Sequence, residues 1–108
     1  MIDLVARITV EQARKIAEDA VMQERGQYEN AEIEQALEDG FLEAEHCWIF
    51  LRNRKIVVLP ENWFTRSYGA FAVSKKGTMS QISSFEDDPA QLPRYLQTMS
   101  EYFHRRGE

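Results

Sequence analysis

Cys47-Trp48-Ile49-Phe50-Leu51 is the longest purely apolar run in the chain, and its reading decides the fold. It is closed off by Glu45-His46 on one side and Arg52-Asn53-Arg54 on the other, a length that suits a strand better than a helix. It is too short to cross a membrane. Both of its faces are apolar, so the strand belongs inside a sheet covered on both sides, or covered on one side with a partner or helix end over the other. Further strands are expected at residues 55–59, 69–74 and 78–85. The lysines and glycine of Lys75-Lys76-Gly77 supply the turn between the last two.

The rest of the chain is read as cover for that sheet. Thr9 and Gln12 have capping-box spacing, and Val10, Ala13, Ile16, Ala17, Ala20 and Val21 recur at helical intervals. This predicts a first helix over residues 10–25, ending near Gly26. Asn30 is placed to cap a second helix over 31–39 that stops at Gly40, with Ile33, Ala36 and Leu37 inward. An extended segment is the alternative there, because Phe41-Leu42-Glu43-Ala44 runs on in apolar character toward the central strand. Asp87-Asp88-Pro89 marks the approach to a last helix from about Pro93, and Leu92, Tyr95, Leu96, Met99, Tyr102 and Phe103 form its stripe. Arg105 and Arg106 suit its carboxyl-terminal end.

The expected architecture is therefore α+β: a single domain over residues 1–108 with amino-terminal helices, a four-stranded antiparallel meander over about 45–85, and a carboxyl-terminal helix packed on the sheet. Trp48, Phe50, Val57, Phe71, Val73, Ile82, Leu96, Met99 and Phe103 are the expected core. A chain of 108 residues, 44% hydrophobic and 29% charged, can bury such a core without staples. A lone cysteine and the absence of a basic, then long apolar, leader predict a reducing, cytoplasmic setting.

Charge is distributed unevenly. Residues 1–46 hold twelve acids and four bases, residues 47–108 six acids and nine bases, and from Glu29 to Glu45 there are seven acids with no Lys or Arg. A surface of this sign repels phosphates, which argues against nucleic acid as its direct ligand, and it steers a basic partner inward. The plain alternative is a solvated face. Trp63 and Phe64 sit in a connection, folded back over the core or exposed as a binding surface.

Candidate chemistry is sparse. His46 beside Cys47 invites a nucleophile reading, but adjacent strand residues point to opposite faces, so a buried structural cysteine is expected. His104 reads as a helix-terminal cation. Lys75-Lys76-Gly77 lacks the preceding glycine-rich loop and following helix of a phosphate site. Asp87-Asp88 is explained by capping rather than by cation binding. No catalytic, cofactor-binding or metal-binding residue is assigned.

Cys47-Trp48-Ile49-Phe50-Leu51, Ile56-Val57-Val58-Leu59-Pro60, Ala70-Phe71-Ala72-Val73-Ser74-Lys75-Lys76-Gly77 and the final helix together resemble the small bacterial immunity proteins of the YrhB-like group. In that group a leading helix precedes a strand with a Trp-aromatic core, and a strand ending in Lys-x-Gly precedes the last helix. The likeness runs over about residues 9–103; residues 61–67 and 29–45 stand outside it. It implies a non-catalytic, cytoplasmic inhibitor of a cognate toxin. The expected partner is a basic toxin domain, with no membrane and no direct nucleic acid, and self-association is left open. The contact residues are not carried over from the likeness but expected from the charge layout: Glu32, Glu34, Glu38, Asp39, Glu43 and Glu45, flanked by Trp63, Phe64 and Tyr68. The other function class is a small enzyme or ligand-binding domain that uses the concave face of the sheet.

Overall fold

The computed structural model describes residues 7–30 and 32–108. The amino-terminal stretch through Ala6, and Ala31 at the start of the expected second helix, lie outside the described residues. The order of elements is α1 (Val10–Gln23), β1 (Leu37–Glu43), β2 (Cys47–Arg52), α2 (Trp63–Ser67), β3 (Ala70–Ser74), β4 (Met79–Ile82) and α3 (Gln91–Arg106). The strands form one antiparallel sheet in the order β1-β2-β3-β4, and α3 packs on it, an α+β architecture.

β2 lies in the interior of the sheet, and its alternation sorts the two cores. Trp48 and Phe50, with Phe71 and Val73 of β3, face α1 and its Ala13, Ala17 and Val21. Cys47 and Ile49, with Ala70 and Ala72 of β3 and Ile82 of β4, face α3 and its Leu92, Leu96, Met99 and Phe103. A strand covered on both sides must be apolar on both faces, as this one is. The small side chains on α1 let the helix lie close against the aromatic face.

α1 starts as its sequence requires. The Thr9 hydroxyl accepts from the Gln12 N–H (3.1 Å), and the Thr9 N–H donates to the Gln12 side-chain oxygen (2.8 Å). Thr9→Ala is expected to cost about 1 kcal/mol, seen as a melting midpoint lower by about 4–8 °C. The helix ends at Gln23, and a 3-10 turn, Arg25–Gln27, carries the chain on. Gly77, at φ 99°, closes the β3–β4 hairpin in a conformation that glycine adopts without cost.

Four expectations are corrected. Residues 32–36 are irregular and Leu37–Glu43 is a strand, so no helix forms over 32–39 and the chain takes the extended alternative there; one α-helix precedes the sheet among the described residues. The meander therefore begins at Leu37. Residues 55–59 do not join it. The Asn53 side chain accepts from the Lys55 N–H (2.9 Å), an Asx turn that diverts the chain. The segment after it pairs with the exit of α1: Glu29 N–H to Val57 C=O at 2.7 Å, Leu59 N–H to Gln27 C=O at 2.8 Å. In that extended run Ile56 and Val58 are buried and Val57 is exposed, which removes Val57 from the core. Finally, α3 starts at Gln91 with no side-chain cap, so Asp87 and Asp88 do not cap it; the Asp88 carboxylate accepts from the Gln91 side chain (3.0 Å).

Candidate functional site

β1 is an edge strand whose pairing with β2 shifts by two residues between Leu37 and Phe41. The bulge turns the carbonyls of Glu38 and Asp39 toward α1, where Arg14 donates to both (3.2 and 2.9 Å). The acidic side chains of the edge are partly matched by cations. Glu38 lies 3.6 Å from the Arg54 guanidinium and accepts from the Arg54 N–H at 2.7 Å, and Glu43 pairs with Lys75. The Gln35 amide donates to Asp39 (2.7 Å), and Glu45 lies 3.8 Å from His46. Glu32 and Glu34 are exposed on the irregular segment before β1 and enter no ion pair among the described residues. A bulge and charged side chains on an edge strand oppose pairing with other chains.

The aromatic residues stand on α2. Trp63 is 64% and Phe64 56% exposed, with their rings edge to face at 5.9 Å, and Tyr68 lies 4.4 Å from Phe64. One turn of helix is not stable by itself, so tertiary bonds hold it. Thr65 is buried; its hydroxyl bonds the Gln27 side chain, and its carbonyl accepts from Arg52 (3.0 Å). The Tyr68 carbonyl accepts from Gln81 of β4 (2.6 Å). Arg52 is itself nearly buried, paired with Glu24 at 3.3 Å and set 5.5 Å from the Tyr28 ring. It passes Gly69 so closely that a Cβ there would stand 3.3 Å from the guanidinium.

The expected contact residues thus fall into two groups. Glu43 and Glu45 lie at the β1–β2 turn, whereas α2 is fixed to the opposite end of β2, at Arg52, and to β4 on the far edge. Glu38 alone shares a cleft with α2, through Arg66. That cleft, about 560 Å³, lies at the Arg52 end of the sheet and is lined by the buried Val58 and Leu92 and by the exposed Pro89, Arg54, Arg66 and Glu86. Helices cover both sheet faces, and this cleft lies at the end of the sheet rather than on a face. Phe85 lines it with φ 51°, a left-handed backbone unusual for a bulky residue, and its ring packs 5.4 Å from Tyr95.

His46 lies in the bend before β2, outside the alternation expected for it, and stacks on His104 of α3 at 4.3 Å. It is therefore on the α3 side, as Cys47 is, yet the thiol makes only a 3.9 Å contact with the Leu96 carbonyl. Burial pushes the Cys47 thiol up to about 11, which disfavours the thiolate a nucleophile needs. Among the described residues no three His, Cys, Asp or Glu side chains are placed to hold a metal ion, and no helix is long and apolar enough to cross a membrane. Comparison with protein families, curated proteins and solved structures finds no match to this chain.

Proposed function

We propose that this chain is a non-catalytic immunity protein that acts in the cytoplasm by binding and blocking a cognate toxin domain. The observation that carries the reading is α2: two large aromatic side chains more than half exposed, on a backbone fixed by buried Thr65 and Arg52. Aromatic anchors held in place before contact lose little freedom on binding and supply most of the energy of an interface. The resemblance of residues 47–51, 56–60 and 70–77 to the YrhB-like group points the same way. The acidic surplus of residues 29–45 steers a basic partner, and Glu32 and Glu34, which pair with no cation among the described residues, are its strongest carriers; Glu38 and Glu43 contribute less because Arg54 and Lys75 offset them.

The reading expects a toxin gene beside the gene for this chain, and co-expression of the two should restore growth. Trp63→Ala/Phe64→Ala should abolish the rescue, with binding weakened by about 2 kcal/mol or more, on the order of thirtyfold. Both side chains are exposed, so the melting temperature should stay within a few degrees of wild type. Full rescue by the double variant would take the aromatic anchor out of the interface.

A further inference from the structure

The two edges of the sheet are unlike. β1 bulges and carries Glu38, Asp39 and Glu43, devices that keep other strands away. β4 has neither. From Met79 to Phe85 there is no charge and no proline, and among the described residues β4 pairs with β3 alone. The hairpin bond from Ser74 N–H to Thr78 C=O (2.8 Å) fixes the parity of the ladder, so Ser80 and Ile82 bond inward to β3. By the antiparallel alternation, the N–H and C=O of Met79 and Gln81 then point away from the sheet. Beside this edge a groove of about 400 Å³ separates β4 from α3, with Ile82 and Met99 at its base, Tyr68, Tyr95 and Tyr102 around it, and Arg105 as the one charged lining residue among the described residues. Arg105 stands toward the Met79 end, since the Lys76 ammonium, three residues before Met79, reaches the Gly107 carbonyl at 3.2 Å.

We propose that this edge takes an extended peptide segment of a partner protein, added antiparallel to β4 as a fifth strand. Outward main-chain groups supply the hydrogen bonds, and alternate side chains of the segment enter the groove. Antiparallel addition brings the carboxyl-terminal side of the segment to Arg105. The ligand class is therefore an extended segment with apolar or aromatic residues at every second position and an Asp or Glu toward its carboxyl-terminal end. A second copy of this chain fits less well, because β4 carries no carboxylate to set against Arg105. The inference does not rest on the immunity reading, since Trp63 and Phe64 lie outside the groove.

The test is a selection of random displayed peptides on the immobilised full-length protein. Enriched peptides should alternate in the manner described and carry the acidic residue. The best of them, made synthetically, should bind Arg105→Glu and Gln81→Pro at least about tenfold more weakly than wild type, a difference of about 1.4 kcal/mol, and Trp63→Ala unchanged. Arg105 is exposed, so its variant reads the groove even if proline at Gln81 disturbs folding. The bound peptide should also slow amide exchange at Met79 and Gln81. Failure to enrich such peptides, or equal binding to wild type and Arg105→Glu, would overturn the proposal. So would a peptide-free dimer that dissociates in Gln81→Pro, which would give the edge to a second copy.

Discussion

Trp48→Ala is expected to destabilise the protein by about 3–5 kcal/mol, a large part of the 5–15 kcal/mol typical of a folded domain. The side chain is 4% exposed in the core facing α1, so truncation leaves a cavity between sheet and helix. The Lys75 ammonium lies 4.1 Å from the ring centre and also pairs with Glu43, so the substitution removes a cation–π contact as well. Val57→Ala is the control. Sequence pattern put both residues in the core, but Val57 is 47% exposed, and its truncation should stay within about 0.5 kcal/mol. Denaturant titration of the two variants reads the difference directly; equal losses would contradict the assignment of β2 to the interior and of the Val57 segment to the surface.

The second large effect concerns Glu24 and Arg52. The Arg52 side chain is 6% exposed, its Nε has no partner among the described residues, and Glu24 is its counter-charge at 3.3 Å. Glu24→Leu leaves a guanidinium in low dielectric without that charge, and a cost of about 3–5 kcal/mol is expected. Glu24→Leu/Arg52→Met removes both charges and should recover most of that loss, so a double-mutant cycle should be strongly non-additive. The double variant also loses the contacts of the Gln81 amide with the Glu24 carboxylate (3.2 and 3.4 Å), and it loosens α2. Arg52 no longer donates to the Thr65 carbonyl, so α2 loses an anchor and partner binding should weaken even where stability is restored. Additive losses in the cycle would mean that the pair is not coupled.

How much of this was legible in the sequence follows from how local each signal is. The Thr9 capping box, the apolar run of β2, the β3–β4 turn at Gly77 and the stripe of α3 are all set by residues within a few positions of one another, and each stands where its pattern placed it, except that Tyr102 of the stripe is exposed. β1 was legible only as the alternative to a helix, because its bulge breaks the two-residue period and Ala36-Leu37-Glu38-Asp39-Gly40 imitates a helix end. Ile56-Val57-Val58-Leu59 has strand composition, but the Asx turn at Asn53 sends it to the exit of α1, and nothing within the run records that. The candidate surface was legible as residue types only. That Trp63 and Phe64 point outward depends on Thr65 being pinned by Gln27 and Arg52, residues distant in sequence, and that Glu43 and Glu45 lie at the other end of β2 from α2 while Glu38 shares a cleft with it depends on the pairing of the strands.

The central claim, an inhibitor that works by occupying its partner and not by chemistry, is tested most directly by stoichiometry. A toxin domain that this chain is found to bind would be assayed for its own activity while the purified protein is added in increments. A one-to-one blocker predicts residual activity that falls linearly and reaches its floor at one equivalent, with active toxin recovered when the complex is dissociated. Loss of activity at far below one equivalent, growing with time and not reversed on separation, would show turnover and contradict the account.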